Sequence, residues 1–151
     1  TMVHSNGASQ QKIGAGERAV DGLIAGIGAG VVMAVYVVLA GLIVGDGPAQ
    51  VLSGFDPSAT PSPVVGTLTH LAVAGVYGVL FGIASRWLPR GRRWVSVASG
   101  VAYGLLIFLV AQMVILPSTA AATLRAMPTV NFAIAHLVYG VTLGFVFSRG
   151  R

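Results

Sequence analysis

The sequence contains no cysteine, so disulfides, thiolate metal sites and cysteine nucleophiles are all excluded. Charge is scarce as well, because only 9% of the 151 residues are charged and only four are acidic. Soluble domains carry about 25% charged residues. With 55% hydrophobic residues and a mean hydropathy of +0.84, the chain holds more apolar surface than a water-soluble fold could bury. The composition therefore indicates an integral membrane protein.

Four apolar runs are long enough to cross a bilayer as helices. The first run is longer than the roughly 7–15 apolar residues of a signal peptide, which favours a permanent span. Residues 1–16 are rich in Gly, Ser, Gln and Asn and are predicted to form a flexible cytoplasmic tail. The predicted fold class is an all-α integral membrane protein, with one four-helix transmembrane domain over residues 17–151. Its predicted spans are 23–44, 64–88, 95–116 and 129–148.

Basic residues are distributed unevenly about these spans. Eight of the nine lie in the N-terminal segment, the middle turn and the C-terminus, whereas the loops 45–62 and 118–127 contain only Arg125. The positive-inside rule therefore predicts cytoplasmic N and C termini. This role also accounts for the net charge of +5, so no nucleic-acid partner is predicted. Aromatic and basic residues at the middle turn are predicted to anchor the protein at the membrane interface: Arg86, Trp87, Arg92, Arg93 and Trp94.

The second and fourth spans share a pattern that aligns without a gap. His70-Leu71, Gly78 and Phe81 match His136-Leu137, Gly144 and Phe147. Since both hairpins would cross the membrane in the same order, the pattern predicts two parallel-repeat helical hairpins. Their pseudo-twofold axis would lie along the membrane normal.

Small residues recur at four-residue spacing in every span. Lipid is as apolar as leucine, so membrane helices associate through close packing and hydrogen bonds instead of hydrophobic burial. Glycine is common in membrane helices in any case. Its recurrence in all four spans nevertheless favours helix-packing faces. The predicted packing glycines are Gly22, Gly26, Gly30, Gly78, Gly82, Gly100, Gly104, Gly140 and Gly144.

His70 and His136 are the strongest candidates for a binding site, because their predicted depths in the membrane match. Two such imidazoles could ligate a b-type haem, a chlorin or a metal ion. The alternative is structural: neutral histidines that bond to each other, to a backbone carbonyl, or to Tyr36 or Gln112 as polar neighbours. A proton or small-solute path is a third interpretation, although no acidic residue lies in the spans to support a relay. No cofactor or metal is expected.

Tyr77, Tyr103 and Tyr139 each precede a glycine. This recurrence predicts rings packed over glycine, with a phenol hydrogen bond to a bound group as the alternative. A serine protease is excluded by geometry, because Ser99 would lie about 20 Å from the depth of His136 at the helical rise. No catalytic residue and no enzymatic activity are predicted.

The first span reads Gly22-Leu-Ile-Ala-Gly26-x3-Gly30-Val-Val-Met33, and the last contains His136-Leu-Val-Tyr-Gly140-x3-Gly144. This combination resembles the YagU-like small inner-membrane proteins, a largely uncharacterised group from bacteria and archaea. The resemblance implies a four-helix protein of the prokaryotic inner (plasma) membrane. It assigns no catalytic residue.

The function predicted from the sequence is a non-catalytic membrane subunit or scaffold that packs against other helices. Its partners would be the lipid bilayer and either other membrane subunits or further copies of itself. One alternative is an electron-transfer or light-harvesting subunit that binds haem or pigment at His70 and His136. The other alternative is a transporter of protons or small solutes.

Overall fold

The computed structural model describes residues 14–88, 92–118 and 127–149. In these ranges the chain is helical and contains no strand. Four helices are long and apolar enough to cross a membrane, which confirms the predicted all-α fold with four spans. The observed helices are Ala15–Val44, Pro63–Trp87, Arg93–Ile115 and Thr129–Arg149.

The predicted span bounds agree with these helices to within two residues, except that the first helix begins at Ala15 and not at residue 23. Three predictions lie partly outside the described residues: the tail as far as residue 13, the basic turn at 89–91 and the loop at 119–126. We label the elements in chain order. They are α1 (Ala15–Val44), α2 (Pro48–Ser53), α3 (Pro63–Ala84) with a 3-10 turn (Ser85–Trp87), α4 (Arg93–Val110) with a π-helical turn (Ala111–Ile115), α5 (Leu116–Ser118) and α6 (Thr129–Arg149).

The segment between α1 and α3 is more ordered than the polar loop that its composition predicts. Gly45 ends α1 in the left-handed conformation, with φ of 94°, which glycine adopts without strain. Helix α2 then packs against both α1 and α3. A Cβ on Gly66 would collide with the carbonyl of Leu52, so α2 can lie this close to α3 only because Gly66 has no side chain.

Asp56 organises the start of α3. Its carboxylate accepts the backbone N–H groups of Ser58 at 2.9 Å and Ser62 at 2.8 Å. These hydrogen bonds lower the pKa of the Asp56 carboxyl because they stabilise its charged form, and the bond from Ser58 has the larger effect. Helix α3 begins at Pro63, one residue before the predicted span, and the hydroxyl of Ser62 makes no capping hydrogen bond.

Helices α1 and α3 form an antiparallel hairpin in which backbones touch at glycine. A Cβ on Gly22 would collide with the carbonyl of Gly78, and a Cβ on Gly26 would lie 2.5 Å from the carbonyl oxygen of Ala74. As the residue number rises along α1 it falls along α3, which defines the antiparallel pairing. The obstructing atoms are backbone atoms, which cannot move aside as a flexible side chain can.

The second hairpin pairs α4 with α6 in the same manner. A Cβ on Gly100 would collide with the carbonyl of Gly140, and one on Gly104 with the carbonyl of His136. A Cβ on Gly144 would lie 2.5 Å from the carbonyl oxygen of Ser96. The glycine stripes therefore lie inside the two hairpins of this chain and not on its outer faces.

The two hairpins share one contact register. Gly26 faces Ala74 in the first and Gly100 faces Gly140 in the second. Ala74 and Gly140 are 66 positions apart, the same offset that separates the two histidines. This shared register supports the internal repeat, which otherwise stays a prediction from the sequence.

Larger side chains fill the space between the hairpins. The ring of Phe81 meets that of Phe147 edge-on at 5.3 Å and that of Tyr103 at 5.2 Å. Leu143 and Ala29 are fully buried beside this cluster. Helix α6 packs against α1 as well as α4, so α1 and α6 form the centre of the bundle.

Replacing Gly26 by alanine tests the backbone contact within the first hairpin. We expect Gly26→Ala to lower the free energy of unfolding in mixed micelles by about 1–3 kcal/mol, because the new methyl group overpacks the interface. Gly28→Ala is the matched control two residues away, since a Cβ there meets nothing within 4 Å. It should be neutral or stabilising by up to about 1 kcal/mol through helix propensity. Equal effects of the two substitutions would contradict the packing.

Candidate functional site

The structure brings His70 and His136 to one small cavity between the hairpins. The cavity has a volume of about 80 Å³. His70 comes from α3 and His136 from α6, and both line the cavity. That they bind a ligand stays a prediction from the sequence. The remaining lining residues are Met33, Val73, Ala74, Tyr77, Ile107 and Tyr139.

His70 is held by a neighbouring helix and by the segment after α2. Its Nε2 lies 2.9 Å from the carbonyl oxygen of Gly30 on α1. A carbonyl can only accept, so the Nε2 atom of a neutral His70 carries the hydrogen and Nδ1 remains an acceptor. The ring of Phe55 stacks on the imidazole at a centroid distance of 4.4 Å. The backbone of α1 is close enough for this bond because Gly30 has no side chain.

His136 is held within its own helix. Its Nδ1 lies 2.8 Å from the carbonyl oxygen of Phe132, four residues earlier, so Nδ1 donates and Nε2 remains an acceptor. The rings of Phe132 and Phe108 meet the imidazole edge-on at 4.5 Å and 6.0 Å. The side chain is buried. Each histidine thus retains one nitrogen that can accept a hydrogen bond or coordinate a metal.

Tyr36 and Gln112, which the sequence suggests as polar neighbours, do not line this cavity. Tyr36 packs against the hydrophobic core, and Gln112 lies in the π-helical turn that continues α4. The structure gives both histidines backbone carbonyls as partners. Equal depth along separate helices does not establish a contact, because the rotation of each helix decides which way a side chain points.

Tyrosines connect the hairpins through hydrogen bonds to backbone. The hydroxyl of Tyr103 donates to the carbonyl of Tyr77 at 2.7 Å, and that of Tyr139 donates to the carbonyl of Ala74 at 2.6 Å. Successive helical residues differ by about 100° in direction. A tyrosine next to a packing glycine therefore points away from its own hairpin and towards the other one. The Tyr-Gly recurrence contained this signal, which the prediction of ring-over-glycine packing missed.

The size of the cavity limits what it can hold. Pockets for molecules of drug size measure about 300–1,000 Å³, whereas a water requires only about 10–15 Å³ of such volume. The observed 80 Å³ suits a few waters or a small polar molecule. A haem or chlorin ring would fit only if the helices moved apart. Within the described residues no group of three His, Cys, Asp or Glu side chains could hold a metal ion.

The predicted interface anchors lie together at the end of the bundle where α3 and α6 finish and α4 begins. The indoles of Trp87 and Trp94 are exposed, and the guanidinium of Arg86 lies 4.2 Å above the ring of Trp87. Arg92 and Arg93 are exposed as well. Exposed aromatic and basic side chains at one level are typical of a membrane–water interface.

Removing the hydroxyl of Tyr139 tests the connection between the hairpins. We expect Tyr139→Phe to lower the free energy of unfolding by about 0.6 kcal/mol, the average for hydrogen bonds between membrane helices, and by no more than about 1.7 kcal/mol, the largest such value. Tyr36→Phe is the control, because in the described part of the chain the Tyr36 hydroxyl has no hydrogen-bond partner. Unfolding in mixed micelles of both variants measures the difference. A Tyr139→Phe variant as stable as the parent would show that the bond contributes nothing.

Comparison with known proteins gives one match. Residues 16–151 match the model of a family of unknown function, DUF6789. No curated protein and no solved structure matches the chain. The resemblance to the YagU-like proteins stays a prediction from the glycine and histidine pattern. Because the match covers nearly the whole sequence, including all four spanning helices, the chain belongs to the DUF6789 family.

Proposed function

We propose that this protein is a non-catalytic integral membrane subunit whose outer surface packs against helices of another subunit. The observation that carries the proposal is the use of its intramembrane polar side chains. His70, Tyr103 and Tyr139 each donate to a backbone carbonyl on a neighbouring helix. Side chains used in this way fix the arrangement of helices, which is what a scaffold requires.

The docking face must differ from the glycine stripes, since those are occupied inside the hairpins. Helix α4 and its π-helical turn are the best candidate, because α4 packs chiefly against α6. Only 22% of its most apolar stretch is buried, the same share as in α1 and half of the 44% in α6, but α1 packs against both α3 and α6. The exposed side chains include Leu106, Leu109 and Met113. Such π-helical turns occur frequently at functional sites.

Gln112 favours a protein helix over lipid as the occupant of this face. Its carboxamide is half-buried in the π-helical turn. In hydrocarbon an amide needs a hydrogen-bond partner, and a polar side chain or carbonyl on a facing helix supplies one. Lipid tails cannot.

The proposed location is the prokaryotic inner membrane, with both termini on the cytoplasmic side. Arg86, Arg92, Arg93 and Arg149 lie at the ends of α3, α4 and α6 that share one end of the bundle. The positive-inside rule assigns that end to the cytoplasm.

Single-cysteine cross-linking in native membranes tests the docking face, since the chain has no cysteine of its own. We expect Met113→Cys to cross-link to a partner chain, and gentle detergent extraction to recover the protein in a larger complex. Val76→Cys on α3 is the control, because Val76 is 60% exposed and Met113 74%. It should remain uncross-linked. A protein that is extracted as a monomer and cross-links at neither position would overturn the proposal. Equal cross-linking at both positions would overturn it as well.

A ligand at the histidine cavity is the second candidate function, because His70 and His136 both line it and each keeps one ring nitrogen besides the one bonded to a backbone carbonyl. We expect the purified protein to be colourless, since the cavity is too small for a haem or chlorin ring. A reduced-minus-oxidised absorption spectrum measures this directly. A Soret band that disappears in both His70→Ala and His136→Ala would establish a haem site and displace the scaffold proposal.

A further inference from the structure

A second cavity lies away from the histidines, in a groove between α1 and α6. It has a volume of about 520 Å³. Arg18 and Asp21 stand at one end of the groove, within the first two turns of α1. Small and apolar residues line the rest: Ile24, Ala25, Gly28, Ala29, Val146 and Phe147.

Arg18 is buried although it lies outside the predicted first span of 23–44. It is only 5% exposed, and its Nε has no hydrogen-bond partner in the described part of the chain. A buried N–H donor without an acceptor is costly, so the unpartnered Nε of Arg18 favours a hydrogen-bond acceptor in this groove. Because a guanidinium stays charged in proteins, an anionic acceptor is favoured over a neutral one. Asp21 lines the same groove but is exposed, so water can solvate its carboxylate.

The shape of the groove suits an acyl chain. From Arg18 to Ala29 the helix rises about 16 Å, a length comparable with that of a lipid tail. Gly28 keeps the floor of the groove open, because a Cβ there would meet nothing within 4 Å. Ala25 and Ala29 add only methyl groups. An apolar channel with a cation at one end matches a molecule that has an anionic head and an apolar tail.

The depth of Arg18 agrees with that of a lipid headgroup. A Cβ on Gly82 would collide with the carbonyl of Arg18, so Arg18 is level with the last turn of α3. The 3-10 turn that follows α3 contains Arg86 and Trp87, two of the predicted interface anchors. The guanidinium thus lies near the membrane boundary, and the apolar part of the groove runs from there towards the middle of the bilayer.

We infer that the groove between α1 and α6 binds an anionic phospholipid, with the headgroup phosphate at Arg18 and one acyl chain along Ala25, Gly28 and Ala29. A phosphate accepts the guanidinium N–H groups in charge-assisted hydrogen bonds. The bilayer supplies such a lipid directly, which matches the opening of the groove beside two membrane-spanning helices. This site is separate from the docking face on α4.

Native mass spectrometry of the intact protein in non-ionic detergent tests the inference, with phosphatidylglycerol and phosphatidylcholine as probes. We expect phosphatidylglycerol, which has a net negative charge, to bind at least about tenfold more tightly than phosphatidylcholine, whose choline group compensates the phosphate charge. Arg18→Gln should remove that preference, because the guanidinium charge that favours the anionic headgroup is lost. Arg92→Gln is the control, since Arg92 is an exposed arginine at the same end of the bundle. It should retain the preference.

Gly28→Leu is a second variant that tests the acyl-chain position. Because a Cβ at this position meets nothing within 4 Å and the groove beside it is open, we expect the protein to fold normally, which circular dichroism can check. Binding of both lipids should fall about tenfold as the groove is filled. Equal binding of the two lipids, loss of preference in Arg92→Gln, or unchanged binding in Gly28→Leu would each overturn the inference. So would displacement of the lipid by inorganic phosphate alone, or occupation of the groove by a second copy of the chain.

Discussion

Backbone contact at glycine is the constraint on which the rest of this structure depends. At Gly22, Gly26, Gly100 and Gly104 a single added carbon would collide with backbone of the opposite helix. Lipid offers no hydrophobic driving force between helices, so the helices of each hairpin must gain their association from contact at this distance. The same approach brings the carbonyl of Gly30 within 2.9 Å of the imidazole of His70. Close packing and the polar site are therefore consequences of one missing side chain per turn.

The hairpins meet each other differently, through bulky rings and phenol hydrogen bonds. Tyr103 and Tyr139 both donate to carbonyls of α3, and Phe81 touches Phe147. A helix can present glycine to one neighbour and tyrosine to another because adjacent residues point about 100° apart. Rings pack less tightly than a glycine interface, and the 80 Å³ histidine cavity lies among them. The protein thus combines two closely packed helical hairpins with a central layer of rings that contains the histidine cavity.

The sequence predicted the helices well because membrane spans depend on local properties. Length and apolar composition located α1, α3, α4 and α6 without reference to partners. The matching depth of His70 and His136 was predicted from a local pattern, the repeat between two spans, whereas their placement at one cavity was seen only in the structure. Tyr36 and Gln112 were poor choices as neighbours of the histidines, since their depth alone says nothing about helix rotation. The burial of Arg18 and the stacking of Phe55 on His70 were not predicted from the sequence. Both residues lie outside the predicted spans, and their surroundings are formed by residues distant in sequence.

The amino-acid sequence by itself determined that this protein has four helices long and apolar enough to cross a membrane, the bounds of three of them to within two residues, and which residues are small enough for helices to touch. These properties follow from transfer of each segment into lipid and from backbone geometry, so they require no knowledge of neighbours. Only the tertiary structure decided that the packing glycines contact helices of the same chain, that both histidines bond to backbone carbonyls, and that Arg18 lines a groove. The physical reason is that rotation and pairing of helices depend on the simultaneous fit of all four, and no single span carries that information.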